Sequence, residues 1–119
     1  MVERLAPLKL AFMHVVEGAT GGPRDIAPFD FAALRARFKQ GNAQGAWIVN
    51  NGYSRAMALA AVASGAADMV AFGKHFIGNP DLVERLRLDA PLASPQRETF
   101  YGGGAEGYTD YPPMALAPA

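Results

Sequence analysis

Two short strings carry the clearest chemical signal in this sequence: Asn50-Asn51-Gly52-Tyr53 and Gly73-Lys74. Each follows a short apolar run, Ala46-Trp47-Ile48-Val49 in the first case and Met69-Val70-Ala71-Phe72 in the second. A glycine where a strand ends lets the backbone approach a ligand closely, and successive N–H groups there form a nest for an anion. Lys74 adds a positive charge. Two strand-end loops with N–H donors, one of them with a cation, suit a phosphate, which in eight-stranded α/β barrels is often held by the loops after the last two strands. Glycines after strands also serve simply as turns, and spacing alone leaves both readings open.

Other chemistry-bearing residues are more isolated. His14 lies in or at the end of the apolar run 8–16 with no second catalytic group beside it in sequence, and reads as a strand histidine. His75 reads as a rim residue. Two histidines so far apart, with no carboxylate at ligand spacing, do not make a metal site. Glu17 reads as a rim carboxylate. Gly102-Gly103-Gly104 lacks the spacing to a G-K-[ST] and precedes no helical pattern, so it is not a P-loop. Tyr101 is a candidate for presenting a hydroxyl to a pocket, against the plainer role of packing its ring.

The elements that must position these residues follow from periodicity. Leu8 to Val16 is mostly apolar and short, and reads as a buried strand of a parallel sheet. A turn-rich segment, Glu17 to Asp25, follows. Phe31, Leu34 and Phe38 fall on one face of a helix that Asp30 caps and Gly41-Asn42 ends. Ala46-Trp47-Ile48-Val49 is a second strand, and Ser54 opens an Ala-rich helix that Gly65 ends. Met69-Val70-Ala71-Phe72 is a third strand. Asn79-Pro80-Asp81-Leu82 reads as a helix start with Asn at the N-cap, and Leu82, Val83 and Leu86 as that helix's apolar face.

The order is therefore β-α-β-α-β-α, in units 1–45, 46–67 and 68–89. Alternation of this kind implies an α/β fold with parallel pairing. From 90 to 119 no period survives, yet Phe100, Tyr101, Tyr108 and Tyr111 make the segment too aromatic for a linker. It reads as an irregular tail packed on a larger body. Three strands leave two open edges and close no barrel.

Composition narrows the function classes. The 119 residues carry 11 Lys+Arg against 11 Asp+Glu, so the formal net charge is zero. There is no long-range attraction for nucleic acid or an anionic membrane. The chain has no cysteine, which removes disulfides, thiolate metal sites and a cysteine nucleophile. No apolar run approaches the roughly 18 residues of a membrane span. The first residues carry an acid and lack an A-x-A-like cleavage site, so they do not read as a signal peptide. A cytoplasmic protein is expected, with no nucleic-acid or membrane partner.

The same residues resemble a known family. Val70 to Leu86, VAFGKHFIGNPDLVERL, looks like the last strand and following helix of the Old Yellow Enzyme family of flavin-dependent ene-reductases. Phe100 to Pro112, FYGGGAEGYTDYP, looks like that family's bacterial C-terminal signature. Leu10 to Gly18 resembles its sixth strand and Trp47 to Tyr53 its seventh. The run His14 to Arg24, HVVEGATGGPR, together with Asn50-Asn51-Gly52-Tyr53, is most similar to the glycerol trinitrate reductase subgroup.

This resemblance implies a partial (β/α)8 barrel, made of the last three βα units and a tail, and non-covalent FMN at its carboxyl-end face. In the family, NAD(P)H delivers hydride to the flavin, which then reduces an activated alkene such as an enone, or a nitrate ester or nitro compound. Carried over by residue, Asn51, Gly52, Gly73 and Lys74 bind the FMN phosphate, and Tyr101 lines the flavin and substrate pocket. The family often has Arg where Lys74 stands; Lys keeps the charge without the bidentate fork. The substrate-binding pair and the proton-donating tyrosine come from earlier strands, so no catalytic residue is expected in this chain. A complementary N-terminal barrel part, on the same or a separate chain, is the expected partner, with a homo-oligomer also open. The alternatives are a non-catalytic phosphate- or FMN-binding α/β module and an inactive truncated piece.

Overall fold

The computed structural model describes residues 1–20, 22–24 and 29–114. Gly21 and Asp25 of the turn-rich segment, and the last five residues of the tail, lie outside the described residues. The chain divides into two compact units, Met1–Ala71 and Phe72–Ala119.

The first unit is built on three strands, β1 (Phe12–Val16), β2 (Ala46–Asn50) and β3 (Met69–Val70), in the order β1-β2-β3. Both pairs are parallel: Phe12 stands opposite Ala46, Val16 opposite Asn50, and Ile48 opposite Met69. The expected α/β architecture is therefore present, as an unclosed parallel sheet of the kind a portion of a (β/α)8 barrel contains.

Alternation along the strands decides which face is covered. Trp47 and Val49 are buried. On that face, helix α2 (Phe31–Gly41) sets the fully buried Phe38 against Trp47, ring centroids 5.8 Å apart. On the other face Phe12, Val16 and Met69 are 54%, 42% and 51% exposed, with His14 among them. Three strands with helices on one side leave this second apolar face open.

Helix α2 begins as the sequence implies, with Asp30 Oδ1 accepting the Ala33 N–H at 2.8 Å. Helix α3 (Arg55–Ala63) begins where Ser54 Oγ accepts the Met57 N–H at 3.2 Å. Asn42, at the end of α2, is buried and donates from Nδ2 to Leu10 O at 2.7 Å. That bond ties the helix end to the entry of β1.

The first strand is shorter than its apolar run. Val2–Leu5 forms a helical turn, α1, and Ala6–Leu8 a 3-10 turn. Pro7 is the second residue of the latter, and Lys9 ends it at φ +55°. The chain therefore becomes extended only near Phe12. The third strand is also short, although Ala71 N–H still donates to Val49 O at 2.8 Å.

The second unit contains α4 (Lys74–Gly78) and α5 (Leu82–Leu88), followed by largely irregular chain. Asn79 is not the N-cap of α5; Asp81 holds that place. Asn79 is instead fully buried, donating from Nδ2 to His75 O and Ala93 O and accepting the Ala93 N–H. Tertiary demand for these three bonds outweighs the local capping signal. Leu82 is buried, but Val83 is 70% exposed and does not share its face. In the tail, Tyr111 accepts the Gln96 N–H on its hydroxyl at 2.7 Å.

Candidate functional site

The ends of β1 and β2 lie side by side, since Val16 pairs with Asn50 and the Glu17 N–H donates to Asn50 O at 3.1 Å. The loops that leave them are therefore neighbours from their first residue. In the second loop Asn51 stands at φ +97° and Gly52 at φ +65°. Asparagine and glycine are the residues that tolerate this left-handed region best. A Cβ on Gly52 would meet only the Arg24 side chain, with Cδ at 3.3 Å. Gly52 is exposed at the carboxyl end of the sheet.

The loop after β1 folds back to reach it. Gly18, at φ +78°, makes that reversal: a Cβ there would fall 2.5 Å from Pro23 O and 2.6 Å from Arg24 Cα. The return brings Arg24 beside Glu17, Asn51 and Tyr53. Arg24 Nη2 donates to Glu17 Oε2 at 2.8 Å, and Nη1 donates to Asn51 O. Tyr53 Oη donates to the same Glu17 oxygen at 2.6 Å. The guanidinium carbon of Arg24 lies 4.1 Å from the centre of the Tyr53 ring. Asn51 Nδ2 completes the tie by donating to Glu17 O and, at 3.2 Å, to Ala19 O.

Electrostatics follow from this packing. Burial, and then the hydrogen bond to Glu17, push the Tyr53 phenol above its ordinary value. Desolvation opposes the charge on Arg24, but the contacts with Tyr53 and Glu17 outweigh it and raise its pKa further. The pair Glu17–Arg24 is thus a charged, half-buried ion pair with a neutral tyrosine beneath it.

In the second unit, Gly73 and Lys74 are exposed where α4 begins, and no atom lies within 4 Å of where a Gly73 Cβ would stand. His75 packs its ring 6.2 Å from that of Phe72. Tyr101 is 93% exposed, its ring edge-on to Phe100 at 6.4 Å. Among the described residues no three His, Asp or Glu side chains are grouped to hold a metal ion. None of the described helices is long and apolar enough to cross a membrane.

Of the residues singled out from sequence, Asn51 and Gly52 thus stand in one exposed left-handed turn, and Gly73 and Lys74 at one exposed helix start. Each place puts a glycine at an exposed backbone position, and Lys74 carries a positive charge beside the second. The cluster of Glu17, Arg24 and Tyr53 was not legible from spacing, because its members are 7 and 36 residues apart along the chain. The Gly18 reversal, seen only as part of a turn-rich run, was its one sequence signal.

No family model matches the chain. Individual proteins do. It is 42% identical to 12-oxophytodienoate reductase 7 of Oryza sativa subsp. japonica, over 94% of this chain and 31% of that protein. It is 38% identical to 12-oxophytodienoate reductase 2 of Arabidopsis thaliana, over 96% of this chain and 30% of that protein. Among solved structures it superposes on the old yellow enzyme homologue from Zymomonas mobilis with a TM-score of 0.84 and 39% identity, covering 95% of this chain and 31% of the other. Morphinone reductase matches with a TM-score of 0.80 and 39% identity, over 96% of this chain and 30% of that one. The chain spans about a third of the length of each of these proteins. The similarity thus runs along nearly all of this sequence and extends to the three-dimensional path of its backbone. On sequence and fold together, the chain belongs to the Old Yellow Enzyme family of FMN oxidoreductases.

Proposed function

We propose that this chain is the C-terminal part of an FMN-dependent NAD(P)H oxidoreductase that reduces activated alkenes, and that it supplies the phosphate end of the flavin site. The observation that carries the reading is the exposed left-handed turn at Asn51-Gly52, at the carboxyl end of a parallel sheet, in a chain of this family. Backbone N–H groups at Asn51, Gly52, Gly73 and Lys74 bind the phosphate, and the Lys74 ammonium adds charge. Tyr101 lines the flavin and substrate pocket. FMN, when bound, supplies the hydride chemistry; this chain's residues hold and orient it.

The open sheet face supports a second element of the reading. Phe12, Val16 and Met69 are the kind of side chains that fill a barrel interior, and they need strands to face. A complementary N-terminal barrel part provides those strands, the substrate-binding pair and the proton donor. Units 1–45, 46–67 and 68–89 are then the last three βα units, with 90–119 as a tail. The resemblance of His14 to Arg24 to the glycerol trinitrate reductase subgroup is the ground on which nitrate esters are proposed beside enones as substrates, with the cytoplasm as the proposed setting.

The test is reconstitution. The chain is mixed with the remaining strands of a family barrel and FMN, and then assayed with NADH and NADPH against maleimide, cyclohexenone and glycerol trinitrate. A yellow complex with NAD(P)H-dependent turnover is the expected result. A complex that binds FMN without turnover leaves a binding module only. The absence of both colour and turnover overturns the proposal.

A further inference from the structure

We propose that the Glu17–Arg24 pair, seated on the Tyr53 ring, is a positioning device that presets the Asn51-Gly52 turn for a phosphate. The inference rests on the phosphate reading of that turn and adds the residues that hold it in shape. Asn51 stands at φ +97°, a left-handed conformation that asparagine tolerates better than most residues but that still favours glycine, so contacts that hold it matter. Three such contacts are present. The Asn51 carbonyl accepts from Arg24 Nη1, and its side-chain amide donates to Glu17 O and Ala19 O.

Arg24 suits this task through its shape. Its planar fork reaches Asn51 O with one terminal nitrogen and Glu17 Oε2 with the other, which an ammonium cannot reproduce. Its charge is already matched by Glu17 at 2.8 Å, so little remains for a ligand. Glu17 is fixed in turn by the hydroxyl of Tyr53, which is only 8% exposed. Arg24 Cδ also lies 3.3 Å from where a Gly52 Cβ would stand, so the side chain walls the turn on one side. Arg24 therefore acts through the turn, as a positioning residue rather than as a ligand.

The experiment compares FMN with riboflavin, which lacks the phosphate, by flavin fluorescence titration of the chain assembled with its complementary strands. Wild type, Arg24→Ala and Arg24→Lys are measured. The preference for FMN over riboflavin is expected to fall about tenfold or more in Arg24→Ala, with riboflavin affinity unchanged. Arg24→Lys is expected to lose nearly as much, because it keeps the charge and loses the fork. Full retention of the FMN preference in Arg24→Lys overturns the proposal in favour of a purely electrostatic role. A parallel fall for both flavins overturns it in favour of general folding. If Arg24→Ala loses the near-UV dichroism of Trp47, Arg24→Lys alone decides. A wild type with no preference for FMN overturns the phosphate reading itself, and the positioning role with it.

Discussion

At the scale of single residues, the charges that matter most here are held in pairs. Asp68 is the clearest case outside the site: its Oδ2 meets Lys39 Nζ at 2.7 Å and accepts the Trp47 N–H at 2.6 Å. The hydrogen bond from Lys39, and then that from the Trp47 amide, hold its carboxyl below the usual carboxylate range. A free Asp titrates near about 3.9. With a lower native pKa, the folded chain binds fewer protons than the unfolded one through that range. The contribution to stability is therefore complete above roughly pH 5 and lost as the pH falls through the native pKa. The side chain is 37% exposed, so the charge is worth on the order of 1 kcal/mol or less. Asp68→Asn should lower the urea midpoint at pH 6, and the gap from wild type should narrow as the pH falls below the free Asp value and close only below the lowered native pKa. A gap independent of pH would assign the effect to the Trp47 hydrogen bond rather than to the charge. The same residue-scale argument applies to Tyr53→Phe, which removes the hydroxyl donor to Glu17 and leaves the ring beneath Arg24. A loss of about 1 kcal/mol in urea unfolding is expected, with the FMN preference reduced less than by Arg24→Ala.

At the scale of elements, what was legible in the sequence was what is local. Asp30 and Ser54 cap α2 and α3 as their positions imply, because a cap needs only an oxygen and an amide three residues on. Replacing either by Ala should cost about 1 kcal/mol, read as a fall in the thermal midpoint. The packing of Trp47 against Phe38 is seen only in the structure, since the continuous apolar run 46–49 names no face, whereas Phe38 could be placed on the apolar face of its helix from its period. The turn at Asn51-Gly52 was legible for the same reason: Asn and Gly are the residues that such a conformation selects. Asn79 marks where locality ends. The string Asn-Pro-Asp has the form of a cap, yet the side chain is spent on Ala93, fourteen residues away, and no local pattern encodes that. Nor does any local pattern pair Glu17 with Tyr53. Asn79→Ala should remove all three hydrogen bonds of a fully buried side chain, leaving the Ala93 N–H and two carbonyls without those partners, at a cost of about 1–3 kcal/mol. Hydrogen exchange at Ala93 would show it, with protection lost in the second unit before the sheet amides of the first. Simultaneous loss in both units would show that Asn79 supports more than its own segment.

At the scale of the whole molecule, the decisive feature is the sheet face that the helices do not cover. A face bearing Phe12, Val16 and Met69, each close to half exposed, is not a stable surface for a water-facing sheet. Among the described residues, no strand pairs with the outer edges of β1 and β3, and such edges can accept further strands. More strands of the same parallel sheet, as in the complementary barrel part proposed above, would answer both deficits; the proteins that this chain matches are about three times its length. Burying one large apolar side chain is worth roughly 1.5–3 kcal/mol, so this face alone can drive assembly. The chain by itself should therefore bind a hydrophobic dye strongly and self-associate, and the complementary strands should abolish both. Phe12→Ser combined with Met69→Thr should weaken dye binding and self-association several-fold, because both side chains stand on the open face and contribute little to the covered core. The unfolding free energy should stay within about 1 kcal/mol of wild type, as expected of exposed positions. Assembly with the complementary strands should fail in the same variant. Dye binding that is unchanged in the double variant would locate the exposed surface elsewhere, and would remove the physical ground for a barrel completed through this face.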